Sequence, residues 1–285
     1  MEKISNTDLI VNADGSVYHL NLKPEQLSDN IITVGDPTRV HRISSFFDKV
    51  EFEMNRREFI THVGSYKGKR ITVMSTGMGT DNVEIILTEL DALANIDLKT
   101  MLPKDKKRSL NIIRLGTSGS IQEDIKVGSF LISEYAVGLD TLLTFYDFDM
   151  GDFEDEVTRK LQQEIGLPFQ PYCTQGSATL IRKFGEGMYK GNTVTTPGFY
   201  APQGRKLRLP IKYPHLVDRL TRFHYKDFWL TNFEMETAGY YALAKLLGHE
   251  IVSVNAILAN RISDEFASHP NKVIDELIKL VLDRV

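Results

Sequence analysis

Cysteine is almost absent: Cys173 is the only one in 285 residues, so no disulfide can close within the chain, and a reducing, cytoplasmic compartment is the natural expectation. A long apolar run is also missing. The longest, Ile251 to Ala259, is interrupted by Ser253 and Asn255 and is far too short to cross a bilayer. No basic-then-apolar leader opens the sequence, so no membrane partner is expected. Positive charge is not in excess either. The formal net charge of −4 argues against a nucleic-acid partner, whose phosphates are held by many Lys and Arg contacts. The seven histidines show neither His-x-His nor His-Glu-x-x-His spacing, so no metal site is expected. Gly-x-Ser-x-Gly, the P-loop pattern, internal repeats and linker-like Pro/Gly/Ser stretches are absent as well.

What is present is an ordinary globular composition, 42% hydrophobic and 25% charged, with β-branched runs alternating with helical patterns. That alternation is the mark of an α/β chain. Strands are expected at Ile31–Val34, Ile71–Met74, Ile112–Leu115, Phe130–Ile132 and Ile251–Leu258. Val83, Ile86, Leu87, Leu90 and Leu93 recur at the spacing of one buried helix face. A second helix runs from about Glu236 to Leu247 and stops at Gly248, and a third from Asn271 to Arg284. Phe184 to Leu209 has no period and reads as one long ordered loop, a kind that is usually functional. The basic stretch Pro103–Arg108 reads as a solvated loop.

Three of the expected strands run into glycine. The first meets Gly35-Asp36-Pro37-Thr38-Arg39, in which Asp36 can cap a helix and Pro37 suits its first turn. The second meets Ser75-Thr76-Gly77-Met78-Gly79, and the third Arg114-Leu115-Gly116-Thr117-Ser118-Gly119. Such turns are routine in this fold class taken singly. Three together, two carrying arginine, point to a small-anion site at the carboxyl ends of the strands. The pattern Gly77-x-Gly79-x-x-Asn82 lacks the third glycine of a dinucleotide fingerprint. Phe233-Glu234-Met235-Glu236 sets two carboxylates where a strand turns into a helix. One can accept from a ribose diol, although acidic residues also favour any helix N-terminus. In Phe199-Tyr-Ala-Pro-Gln203-Gly-Arg205, glutamine offers a donor and an acceptor to a uracil edge. Arginine can bind a carbonyl that becomes negative as the base departs, and Phe199 can cover the ring.

In family order these segments, with Arg57-Glu58-Phe59 and Asn260-Arg261, resemble the nucleoside phosphorylase family and its uridine phosphorylase branch. The resemblance implies a single three-layer α/β/α domain over residues 1–285 around a mixed twisted sheet, in a homo-oligomer built from dimers, often a hexamer. It implies that Gly35, Arg39, Arg114 and Thr117 hold phosphate with Arg57 of a neighbouring subunit. Gln203, Arg205 and Phe199 would meet the base, and Met235, Glu236 and a neighbour's His19 the ribose. Arg114, Gln203 and Arg205 would carry catalysis, and Arg261 would order the loop near the base. The substrates would be a pyrimidine nucleoside and inorganic phosphate, with no other cofactor. Asn82 stands where some members have a serine that helps Glu58 to hold a monovalent cation, which counts against that ion. The segment Arg182–Thr196 is longer than in compact bacterial members and suggests a different lid. Two alternatives remain open: a purine nucleoside phosphorylase using Asp264, and a non-catalytic nucleoside-binding protein.

Overall fold

The structure, a computed structural model, describes residues 3–285. The chain forms two compact units. The first comprises the described residues up to Arg114, with Leu243–Glu250 and Val285; the second comprises Leu115–Ala242 and Ile251–Arg284.

The first unit holds β1 (Asn30–Val34), α1 (Pro37–Ser44), β2 (Lys49–Arg56), β3 (Phe59–Tyr66), β4 (Lys69–Ser75) and α2 (Thr80–Asn95). It also holds the start of β5 (Asn111–Ser120). β1 is flanked in parallel by β4 and β5, and β4, β3 and β2 continue outward as an antiparallel meander. Ile31, Ile32 and Val34 are all buried, as befits a strand covered on both faces. The helix periodicity holds: Val83, Ile86, Leu87, Leu90 and Leu93 lie on the inner face of α2.

The second unit holds the end of β5, then β6 (Phe130–Gly138), α3 (Asp152–Ile165), β7 (Tyr172–Gln175), α4 (Ala178–Phe184), β8 (Tyr189–Thr195), α5 (Leu216–Arg222) and β9 (Asn232–Glu234). It includes the first half of α6 (Thr237–Leu247), most of β10 (Glu250–Asn260), β11 (Glu265–Phe266) and α7 (Pro270–Arg284). β8 lies between β6 and β9 in parallel pairing, while β9 meets β5, and β10 meets β6, in antiparallel pairing. Val157, Leu161 and Ile165 line one face of α3 in a cluster with Leu220, Phe223 and Cys173. Burying each such aliphatic side chain contributes roughly 1.5–3 kcal/mol. Gly166 (φ +76°) and Gly248 (φ +77°) end α3 and α6 in the left-handed conformation.

The mixed α/β class is as expected, and two local readings are corrected. Phe184–Leu209 is not one loop, and Arg182–Thr196 is not a lid. That stretch is the last turn of α4, a tight turn and strand β8. β8 escapes the hydrophobic pattern because small polar side chains fill its buried positions. Thr193 bonds to Ser133 on β6 and Asn232 on β9, and Asn232 reaches Ser118 on β5, at 2.6, 3.0 and 3.0 Å. The second correction concerns Gly116–Gly119, which is not a turn. β5 runs through it to Ser120, and Gly119 and Ser120 pair with Phe233 and Asn232.

Candidate active site

In the first unit the order β4-β1-β5 sets the carboxyl ends of β4 and β1 beside Arg114, midway along β5, with Val34 in register with Ser75 and Thr33 with Arg114. Thr76 donates its N–H to the Val34 carbonyl at 2.8 Å. A Cβ on Gly35 would stand 3.3 Å from the Gly77 carbonyl oxygen, so the first two glycine turns are in contact. Gly77 itself (φ +69°) could not bear a side chain, since Asn82 Nδ2 occupies that space. Asp36 caps α1 by accepting from the Thr38 N–H at 2.9 Å, and Pro37 begins the helix. Arg39 therefore lies in the first turn, where the helix dipole favours an anion. Arg114 is buried, 6% exposed. The expected anion-binding set Gly35, Arg39 and Arg114 is thus gathered at one sheet end. Thr117 lies further along β5, half-buried, in the second unit.

Arg57 lies elsewhere in the first unit. It is exposed in the β2–β3 turn in a left-handed conformation (φ +54°), with its guanidinium 5.6 Å from the centre of the Tyr18 ring. Tyr18 packs edge-on against His19 at 4.9 Å. The two residues that the sequence reading gives to a neighbouring subunit therefore share one patch. Sequence reasoning missed what holds His19. Glu89, buried on α2, takes Nδ1 of His19 at 2.7 Å and the backbone N–H groups of His19 and Leu20 at 2.9 and 2.8 Å. A carboxylate only accepts, so Nδ1 carries the proton and Nε2 is the atom left for a ligand. The one signal was a glutamate three residues after Ile86 on an apolar helix face.

The second unit carries the other set. Glu234 caps α6, accepting from the N–H groups of Glu236 and Thr237 at 3.0 and 2.8 Å and from Thr195 Oγ1 at 2.5 Å. The helix-terminus explanation therefore accounts for Glu234; Glu236, buried one residue before α6, accepts from the Met235 N–H at 3.3 Å. Gln203, 3% exposed, donates from Nε2 to Thr196 Oγ1 at 2.9 Å. Its Oε1 accepts from Arg205 Nη1 at 2.5 Å, and its backbone carbonyl accepts from Arg261 at 3.1 Å. Arg205 also holds the Phe199 carbonyl at 2.6 Å and lies 3.7 Å from the centre of that ring. One face of Phe199 is thus taken by a guanidinium, and the Tyr200 ring packs perpendicular to it at 5.3 Å.

Burial and the neighbouring Arg261 push the Arg205 guanidinium down to about 10, and burial pulls Arg261 down as well. Both remain cations at neutral pH, in a place that rewards incoming negative charge. Asp264, exposed in the β10–β11 turn (φ +53°), is an electrostatic neighbour of Arg261. Among the described residues no cluster of three His, Cys, Asp or Glu side chains could hold a metal ion, and no helix is long and apolar enough to cross a membrane.

Known proteins resemble this chain over most of its length. A uridine phosphorylase of Thermococcus kodakarensis is 30% identical over 99% of this chain and 93% of its own length. A DeoD-type purine nucleoside phosphorylase of Bacillus cereus is 27% identical over 93% of this chain and 97% of its own. The crystal structure of a Trypanosoma brucei nucleoside phosphorylase, described as showing uridine phosphorylase activity, superposes with a TM-score of 0.90 at 28% identity. It covers 97% of this chain and 99% of that one. The phosphorylase superfamily model matches residues 29–284, and the chain belongs to that family.

Proposed function

We propose that the protein is a uridine phosphorylase, converting uridine and inorganic phosphate reversibly into uracil and ribose 1-phosphate. The observation that carries this reading is the Gln203 amide. It is buried, held at both ends, and retains one N–H and one lone pair, the complement of a uracil N–H and carbonyl. A sensor would have no use for Arg39 and Arg114 beside a helix N-terminus, whereas phosphorolysis requires them.

In this reading Gly35, Arg39, Arg114 and Thr117 hold phosphate. Met235 and Glu236 hold the ribose, and Gln203, Arg205 and Phe199 hold the base. A phosphate oxygen forms a bond to C1′ while the C1′–N1 bond breaks through an oxocarbenium-like state, and the electron pair leaves on uracil. Arg205, close to a second cation, favours that charge, and the arginines on phosphate fix the direction of attack. No metal or organic cofactor is needed. Arg57 and His19 act on a neighbour's substrates, so the active form is a homo-oligomer of dimers in the cytoplasm. The purine reading is supported by the Bacillus relative and would rest on Asp264, which is exposed.

The deciding experiment measures base release from uridine, cytidine and inosine with and without phosphate. Phosphate-dependent release of uracil, with uridine greatly preferred, is the expected result. Preference for inosine would retire the uracil reading, and release without phosphate would retire phosphorolysis.

A further inference from the structure

We propose that Thr196 is a specificity-determining positioning residue: its hydroxyl fixes which end of the Gln203 amide carries oxygen, and so enforces the choice of uracil over cytosine. The inference rests on the uridine reading above.

Thr196 follows the last residue of β8 and is fully buried. Its N–H donates to the Glu234 carbonyl at 2.9 Å. Its Oγ1 lies 3.1 Å from the Gly198 carbonyl and 3.3 Å from the Glu234 carbonyl. Both oxygens can only accept, and a hydroxyl has a single hydrogen, so that hydrogen goes to one of them. Toward Gln203, 2.9 Å away, Oγ1 then acts as acceptor, and the atom facing it must be nitrogen. At the other end Arg205, which can only donate, requires oxygen. Turning the amide over would set N–H against N–H at Arg205 and force Thr196 to give up its carbonyl partners. Two independent contacts therefore agree on one orientation.

That orientation decides what the remaining half of the amide can read. Oε1 keeps a lone pair for the N3–H of uracil, and Nε2 keeps an N–H for the adjacent carbonyl. Cytosine has no hydrogen on N3. Its N3 lone pair would face Oε1, and only a turned amide could satisfy it. Rejection of cytidine is then a property of the two restraints on Gln203 as well as of Gln203 itself. Sites built around a fixed hydrogen-bonding group discriminate far more strongly than apolar pockets do. Thr196 touches no substrate in this scheme; it acts through Gln203.

The test compares Thr196→Val, which keeps shape and removes the hydroxyl, with Thr196→Ser, which keeps the hydroxyl. Specificity constants are measured for uridine and cytidine on wild type and both variants. One hydrogen bond of this kind is worth about tenfold. Valine should therefore lower kcat/KM for uridine by about tenfold, mainly through KM, because the amide contact exists before the bond breaks. The uridine-to-cytidine ratio should narrow by at least a similar factor. Serine should restore both. A merely structural role would reduce the active fraction for both nucleosides alike and leave the ratio unchanged; that result overturns the proposal, as does a serine variant that loses the ratio too. If valine gives no soluble protein, Thr196→Ala carries the same comparison. Wild type without uridine activity refutes the uridine reading instead, whereas a uridine-selective wild type with an equally selective valine variant refutes this inference alone.

Discussion

Replacing Glu89 by leucine tests how His19 is held. The carboxylate is buried and receives three N–H groups, from His19 Nδ1 and from the backbone of His19 and Leu20. Leucine offers no acceptor; the imidazole can adapt by shifting its proton to Nε2, but the two backbone N–H groups cannot. Each loses its partner at a cost of about 1–3 kcal/mol. The fold should lose about 2–6 kcal/mol, or roughly 4–24 °C in melting temperature for a chain of this length. Thermal unfolding followed by fluorescence measures this directly. The same variant should discriminate less between uridine and 5′-deoxyuridine, since His19 is no longer aimed. A melting temperature within about 2 °C of wild type, with 5′ discrimination intact, would refute the argument that Glu89 supports His19.

Three other outcomes are expected. Asp140 is buried, and burial raises its carboxyl above the ordinary value of 3.8 despite bonds from Leu142 N–H and Tyr172 Oη. A raised acid destabilises the fold when ionised, and the cost vanishes as pH falls through the raised value. Asp140→Asn should therefore gain most in melting temperature over wild type near pH 8, with the gain shrinking towards pH 4; a gain that grows on acidification would reverse the sign. Tyr241 Oη donates to the Ser133 carbonyl at 2.7 Å and accepts from Ser253 N–H at 2.9 Å. Tyr241→Phe should cost about 2–4 kcal/mol in urea unfolding, and a loss near zero would show that other partners replace the hydroxyl. Finally, mixing inactive Arg57→Ala and Arg114→Ala proteins should regenerate activity in hybrid oligomers, whereas a mixture as inactive as its components would place Arg57 outside a neighbour's site.

Legibility in the sequence followed the kind of residue that fills the core. β1 and α2 were readable because Ile31, Ile32 and Val34, and Val83 to Leu93, bury aliphatic side chains at the periods of a strand and a helix. Asp36 and Pro37 marked the start of α1 for the same reason that they form it, by capping one N–H and dispensing with another. β8 and the far half of β5 were hidden because their interior is polar. Thr193, Asn232 and Ser118 pair with one another across strands, and a hydrogen-bonded threonine leaves no hydrophobic period to find. Of the site, arginines, glutamine and glycines in short motifs were visible. Glu89 and Thr196 were not, because each acts on a residue distant in sequence or already paired in space. Their roles exist only once the chain is folded.

The passage of β5 straight through Gly116–Ser120 constrains how this protein can change over generations. A connection can gain or lose a residue with little consequence, and exposed Lys206–Pro210, outside any helix or strand, is such a place. A ladder does so only by way of a bulge, as at Gly191–Asn192 in the same sheet. Without one, deleting a residue between Gly116 and Gly119 would turn every following side chain of the strand to the opposite face and shift Gly119 and Ser120 out of step with Phe233 and Asn232. This segment therefore varies more readily by exchanging letters than by altering its length.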